Sequence, residues 1–139
     1  RFLNFAIIII SSTYVFDNDA FAQTEKKINE LLNDAKEHFQ EGEYKQAITT
    51  YDQILEINPD SITALKMKGI ALSNIDYHTK SLKQFFKVLQ NNPKDPTALS
   101  GMGLGFGNLG EYEESLFYFD KAHTEKPDST VIKNYKKFI

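Results

Sequence analysis

Residues 35–59 read AKEHFQEGEYKQAITTYDQILEINP; the same plan returns as GIALSNIDYHTKSLKQFFKVLQNNP at 69–93 and as GLGFGNLGEYEESLFYFDKAHTEKP at 103–127. The step is 34 residues each time. It joins Pro59, Pro93 and Pro127, and in phase with them Ala47, Ser81, Ser115; Ile48, Leu82, Leu116; and Tyr51, Phe85, Phe119. The columns Leu31, Leu65, Leu99; Ala35, Gly69, Gly103; Gly42, Asp76, Gly110; and Tyr44, His78, Tyr112 keep the same phase. A period of this length marks a stack of like supersecondary units rather than one globular core.

Each unit reads as two helices. Leu31, Ala35 and His38, then Ala47, Ile48, Tyr51, Ile54 and Leu55, follow three- and four-residue steps rather than alternation. Short breaks at Glu41-Gly42-Glu43, Ile75-Asp76 and Leu109-Gly110-Glu111 separate the helices. The proline column ends the second helix, because a proline ring clashes with the preceding turn and has no N–H to give. Asp60, Asp95 and Asp128 are expected to cap the helices that follow, with Pro96 at a first helical position. The small residues at 35, 69 and 103, and at 47, 81 and 115, let the two helices of a hairpin cross closely. Tyr51, Phe85 and Phe119 are expected to fill the space between successive units, since no hairpin can bury both faces alone.

On these residues, 28–129 resembles three tandem tetratricopeptide repeats, at about 28–61, 62–95 and 96–129. The family pattern of small residue, turn, Tyr, Ala, aromatic and Pro is met at Ala35, Gly42, Tyr44, Ala47, Tyr51 and Pro59. The second unit departs at His78 and Ser81 and the third at Ser115, while Leu31, Leu65 and Leu99 replace the usual opening aromatic. The resemblance implies an all-α fold, a right-handed α-solenoid of three helix-turn-helix repeats within a domain spanning 23–139. Residues 130–139 read as a capping helix, with Val131, Tyr135 and Phe138 on one face and Lys133, Lys136 and Lys137 largely elsewhere. The first half of a fourth repeat, or a basic membrane-facing helix, are the alternatives for that tail.

The repeat also decides how GLGFGNLG at 103–110 is read. Gly105, Gly107 and Gly110 fit G-x-G-x-x-G, but a phosphate loop follows a strand and opens a helix. Here the segment lies inside a helix begun at Asp95-Pro96, with Gly103 in the small column and Gly110 in the turn column. Gly101, Gly105 and Gly107 have no place in the columns, and each interior glycine costs about 1 kcal/mol relative to alanine. Either packing against Phe85, Phe86 and the neighbouring helix needs bare backbone, or missing side chains widen a groove. Both readings predict a first helix in the third unit that frays more readily than its counterparts.

Residues 1–22 carry a different pattern. One cation, an apolar run from Phe2 to Phe16 and a closing Ala20-Phe21-Ala22 read as a secretory signal peptide cleaved after Ala22. A retained membrane anchor and a buried strand are the alternatives. The expectation is an exported chain, outside the cytoplasmic membrane, touching a membrane only through this segment if it stays uncleaved.

A formal net charge of −3 gives no electrostatic footprint for nucleic acid, and the absence of cysteine removes disulfides, thiol nucleophiles and cysteine-ligated zinc. His38 and His78 fall in packing columns, and no histidine has a partner at metal-ligand spacing on one helix face. Glu111, Glu113 and Glu114 stand at a helix start, where negative charge suits the helix dipole. No Gly-x-Ser-x-Gly or Ser-His-Asp arrangement is present, so catalytic, cofactor and metal residues are none.

The resemblance then implies a non-catalytic interaction scaffold that holds a peptide or helix of a protein partner in its concave groove. The groove positions are Asn29, Leu32, Lys36, Phe39 and Gln40 in the first unit. In the second they are Thr63, Lys66, Ile70, Ser73 and Asn74, and in the third Thr97, Ser100, Leu104, Gly107 and Asn108. The cationic set with which some members grip a C-terminal carboxylate is incomplete: Leu32 and Ser100 interrupt it and the third unit supplies no cation. The alternative is an accessory repeat segment of a larger exported or membrane-anchored enzyme.

Overall fold

The structure is a computed structural model. It describes the backbone of residues 2–130 and 134, and the side chains of 18–130 and 134. Six helices follow one another: α1 (Phe2–Gln40), α2 (Tyr44–Ile57), α3 (Ile62–Asn74), α4 (His78–Asn91), α5 (Pro96–Asn108) and α6 (Tyr112–Glu125). Among the described residues there is no strand. Each helix packs on the next, so the hairpins α1–α2, α3–α4 and α5–α6 stack into an all-α repeat solenoid. The tail expected to form a capping helix lies almost wholly outside the described residues; Thr130 and Asn134 are helical.

The turn inside each hairpin is built the same way three times. Gly42, Asp76 and Gly110 have φ of 80°, 61° and 84°, in the left-handed region that glycine enters without cost. This conformation lets the N–H of Glu43, Tyr77 and Glu111 reach back to the carbonyls of His38, Leu72 and Phe106, at 2.8, 2.9 and 2.9 Å. Those bonds satisfy carbonyls that a helix end otherwise leaves without partners. Asp76 adopts the conformation with a Cβ, a strain tolerated best by Asp and Asn.

The second helices end at Asn58, Asn92 and Lys126, whose N–H groups bond Ile54, Val88 and Ala122 before the proline column. The helix after Asn58 is capped one residue later than the sequence suggested. Ser61, not Asp60, caps α3 by accepting from the Ala64 N–H, while Asp60 donates its own N–H to the Asn58 side chain. Asp95 caps α5 as expected, accepting from Ala98 at 2.9 Å, with Pro96 at the first turn. The caps Ser61 and Asp95 thus stand 34 residues apart, in phase with the repeat.

The small columns are fully buried on both sides of each hairpin crossing. The serines in them are not losses. Ser81 Oγ donates to the Gly69 carbonyl at 2.8 Å, and Ser115 Oγ to the Gly103 carbonyl at 2.7 Å. Where the first unit has Ala35 opposite Ala47, the later units pair glycine with serine, the bare backbone making room for a hydroxyl. A net hydrogen bond of this kind contributes about 0.5–1.5 kcal/mol. Ser81→Ala is expected to lower stability by about 1 kcal/mol, read as a lower urea midpoint with an unchanged slope.

Tyr51, Phe85 and Phe119 lie at the heart of the stack, each 1–2% exposed. Burial pushes the Tyr51 phenol above its ordinary value of 10.0. Phe85 fills the space between units two and three: a Cβ placed on Gly69 would lie 2.9 Å from its ring, and one on Gly101 2.4 Å. Gly105 admits Leu82 in the same manner, at 2.6 Å. Close packing therefore accounts for these glycines. Phe86, by contrast, faces solvent and takes no part in that contact.

Helix α1 continues without interruption through Ala20-Phe21-Ala22. Side chains from Asn18 to Lys27 are all exposed, and packing on the repeats begins at Ile28. Among the described residues no helix is long and apolar enough to cross a membrane.

Candidate functional site

A peptide-sized concavity needs a wall on each side and an apolar floor. On the side of the first helices, α3 and α5 touch directly, whereas α4 and α6 stand further apart, so α3 and α5 lie on the inner side of the curve. Between them runs a groove of about 510 Å³. Ile70, Ser73 and Asn74 line it from α3, and Thr97, Ser100, Leu104 and Asn108 from α5. These are seven of the fifteen residues the sequence placed on the groove face. They come together because positions three, four and seven apart on a helix fall on one stripe.

The other expected positions are placed differently. Asn29, Lys36 and Gln40 are exposed on α1, and Thr63 is exposed on α3, none of them lining this groove. Leu32 and Phe39 pack on the first core cluster, Phe39 edge-on to Tyr44 at 5.2 Å between ring centroids. Gly107 is a correction: its missing Cβ would point at Ser115 Oγ, 3.1 Å away, inside its own hairpin rather than into the groove. Lys66 is half-buried, and its ammonium donates to Asp95 at 2.9 Å, so this cation is already engaged within the protein.

The groove also contains residues that the columns did not assign to it. Phe85 forms part of its floor, reached over the bare backbone of Gly101, and Pro96, Lys126 and Ser129 close its C-terminal end. Gly101 thus both admits the aromatic ring and keeps the wall low. Much of the polar lining is bonded internally: the Asn74 amide to the Ile70 carbonyl at 2.9 Å, and the Ser100 hydroxyl to the Pro96 carbonyl at 2.8 Å. Ser73 and Thr97 keep hydroxyls available, and Ile70 and Leu104 give apolar contact. The arrangement suits side-chain-driven binding of an extended or helical segment, without a charge clamp.

The histidines are less passive than packing columns implied. His38 Nδ1 lies 2.7 Å from Glu43 Oε2 across the first turn, and His78 lies 3.7 Å from Asp76 at the second turn and 3.5 Å from Asn108 at the end of α5. Donor atoms of His38, Glu41 and Glu43 fall within 4.8 Å of one another, a grouping made by the turn and invisible along one helix face. Glu113 and Glu114 are exposed in the first turn of α6, as their dipole reading requires.

Comparison with known proteins agrees with this architecture. No curated protein matches the chain significantly. Among solved structures, the first TPR of Spaghetti (RPAP3) bound to the HSP90 peptide SRMEEVD superposes with a TM-score of 0.76 at 17% identity, covering 79% of this chain and 87% of that one. The Arabidopsis OM64 TPR domain gives 0.78 at 15% identity, over 82% of this chain and 94% of its own. YrrB, a TPR protein with an unusual peptide-binding site, gives 0.70 at 23% identity, over 74% and 53%. At these identities the likeness establishes the fold. The family model described as the N-terminal TPR repeats region of Psidin matches residues 32–136, most of the sequence, and the chain belongs to the tetratricopeptide repeat family.

Proposed function

We propose that this chain is a non-catalytic scaffold that binds a peptide or helix of a protein partner in the groove between α3 and α5. The observation that carries this reading is the convergence of Ile70, Ser73, Asn74, Thr97, Ser100, Leu104 and Asn108 on one concave surface. The first TPR of Spaghetti, similar in fold to this chain, is seen bound to the HSP90 peptide SRMEEVD. A carboxylate-clamp mode is disfavoured here, because Lys66 lies outside the groove lining and is taken up by Asp95, and among the described lining residues Lys126 alone is cationic. Export follows from the signal-like pattern of residues 1–22. It is compatible with a core that starts at Ile28, since cleavage after Ala22 removes nothing that packs on the repeats among residues 18–22.

The test is affinity capture from an extract with the full chain and an Asn74→Arg/Thr97→Arg/Asn108→Arg variant. These positions are exposed, so the fold is retained. A partner held by the parent and at least about tenfold depleted on the variant supports the groove. Equal recovery on both would remove the α3–α5 surface from the binding site.

A further inference from the structure

The opposite side of the stack carries a second concavity, larger than the first. It lies between α2 and α4, against the end of α3, with a volume of about 920 Å³. Its floor is apolar, from Ile48, Leu55, Leu72 and Ile75. Its rim bears five lysines, Lys45, Lys68, Lys80, Lys83 and Lys87, against two carboxylates, Asp52 and Glu56. In a chain of net charge −3 this is a local reversal of sign. Lys68 bonds Asp52, and Lys80 sits 4.9 Å over the Tyr77 ring. Lys45, Lys83 and Lys87 are exposed and form no ion pair with any described residue.

This trough is not a by-product of repeat geometry. One period further on, the same positions hold Phe86 for Asp52, Phe106 for Leu72, Phe117 for Lys83 and Tyr118 for Gln84. There Phe106 stacks on Tyr118 at 5.6 Å, both packed against the core, and the half-exposed Phe117 meets Tyr118 edge-on at 5.3 Å. The junction of units one and two keeps an open trough lined with cations, while the corresponding positions between units two and three carry aromatic rings.

We infer that the α2–α4 trough is a docking site for an acidic, amphipathic peptide segment of a protein partner. Its carboxylates would meet Lys45, Lys83 and Lys87, and its apolar side chains the floor at Ile48 and Leu72. A concave slot with a recessed apolar floor admits a chain segment, whereas a flat bilayer reaches only the rim. The site is separate from the α3–α5 groove, and the two share no lining residue.

The experiment is fluorescence anisotropy with the full chain and a fluorescein-labelled peptide of alternating Glu-Glu and Leu-Leu pairs, alongside its Lys-for-Glu counterpart. The parent binds the acidic peptide and not the basic one, more weakly as salt rises. Lys45→Glu/Lys83→Glu/Lys87→Glu weakens that binding by about tenfold or more. Lys83→Phe/Gln84→Tyr, which copies the aromatic junction, weakens it as well and serves if the charge-reversed variant loses its helical circular dichroism. The Asn74→Arg/Thr97→Arg/Asn108→Arg variant retains it. Equal affinity in parent and trough variants overturns the assignment, as does absence of binding to the acidic peptide. Lysine-dependent association only with phosphatidylserine vesicles also overturns it, in favour of a lipid surface.

Discussion

Gly101→Val is expected to destabilise the protein by about 3 kcal/mol, the upper part of the range for overpacking a filled core. The Phe85 ring occupies a slot whose two walls are bare helix backbone, Gly69 from its own unit and Gly101 from the next. A Cβ at Gly101 would meet three ring atoms at 2.4–2.6 Å, and a ring 2% exposed has no free side to move toward. Gly101→Ala is the sharper comparison, because two effects oppose each other. Alanine gains about 1 kcal/mol of helix propensity, while relieving the clash costs about 1–3 kcal/mol. The contact is with a rigid ring rather than the tip of a flexible chain, so the clash wins and alanine also destabilises. Urea unfolding of both variants measures this, and Gly101→Ala combined with Phe85→Leu recovers part of the loss through non-additivity. A Gly101→Ala protein more stable than its parent would show that propensity governs this helix.

The sequence showed more of the fold than of the site, for physical reasons that can be named. Gly42, Asp76 and Gly110 could be placed in one turn column because a left-handed residue is demanded at the same point in each hairpin. Pro59, Pro93 and Pro127 each stand directly after a helix C-cap, as a ring without an N–H dictates. The glycine–serine pairing at Gly69 with Ser81 and Gly103 with Ser115 was equally present in the letters, yet reads as a departure until the hydroxyl is seen on the carbonyl. The signal was the covariation with Ala35 and Ala47. The cap at Ser61 was missed because Asp60 has the better capping side chain, although phase with Asp95 selects Ser61. In the site, helix periodicity put seven of the expected residues along one concavity. It could not show that Gly107 points at Ser115, since a glycine has no side chain whose direction a pattern can reveal. Nor could it show that Lys66 reaches a carboxylate 29 residues away, because that contact depends on how two units stack.

That contact yields the second large effect. Asp95 is buried, and its two oxygens do two tasks: Oδ1 accepts from the Ala98 N–H as the cap of α5, and Oδ2 accepts from Lys66 on α3. One side chain therefore starts a helix and fixes it against the preceding unit on the groove side. Asp95→Ala is expected to cost about 2–3 kcal/mol. A lost cap accounts for about 0.5–2 kcal/mol, and a lost charge-assisted bond for about 1.5–3 kcal/mol. The sum is discounted because the Lys66 side chain, 28% exposed, can turn its ammonium to water once its partner is gone. Asp95→Asn separates the tasks, keeping an oxygen for Ala98 while removing the charge, and falls between parent and alanine variant. A double-mutant cycle of Asp95→Asn with Lys66→Met isolates the pair, and a coupling indistinguishable from zero would sink this account. Hydrogen exchange carries the consequence to function: without the staple, amides at the start of α5 exchange faster than those of α3, and the wall formed by Thr97 and Ser100 loosens before the rest of the stack.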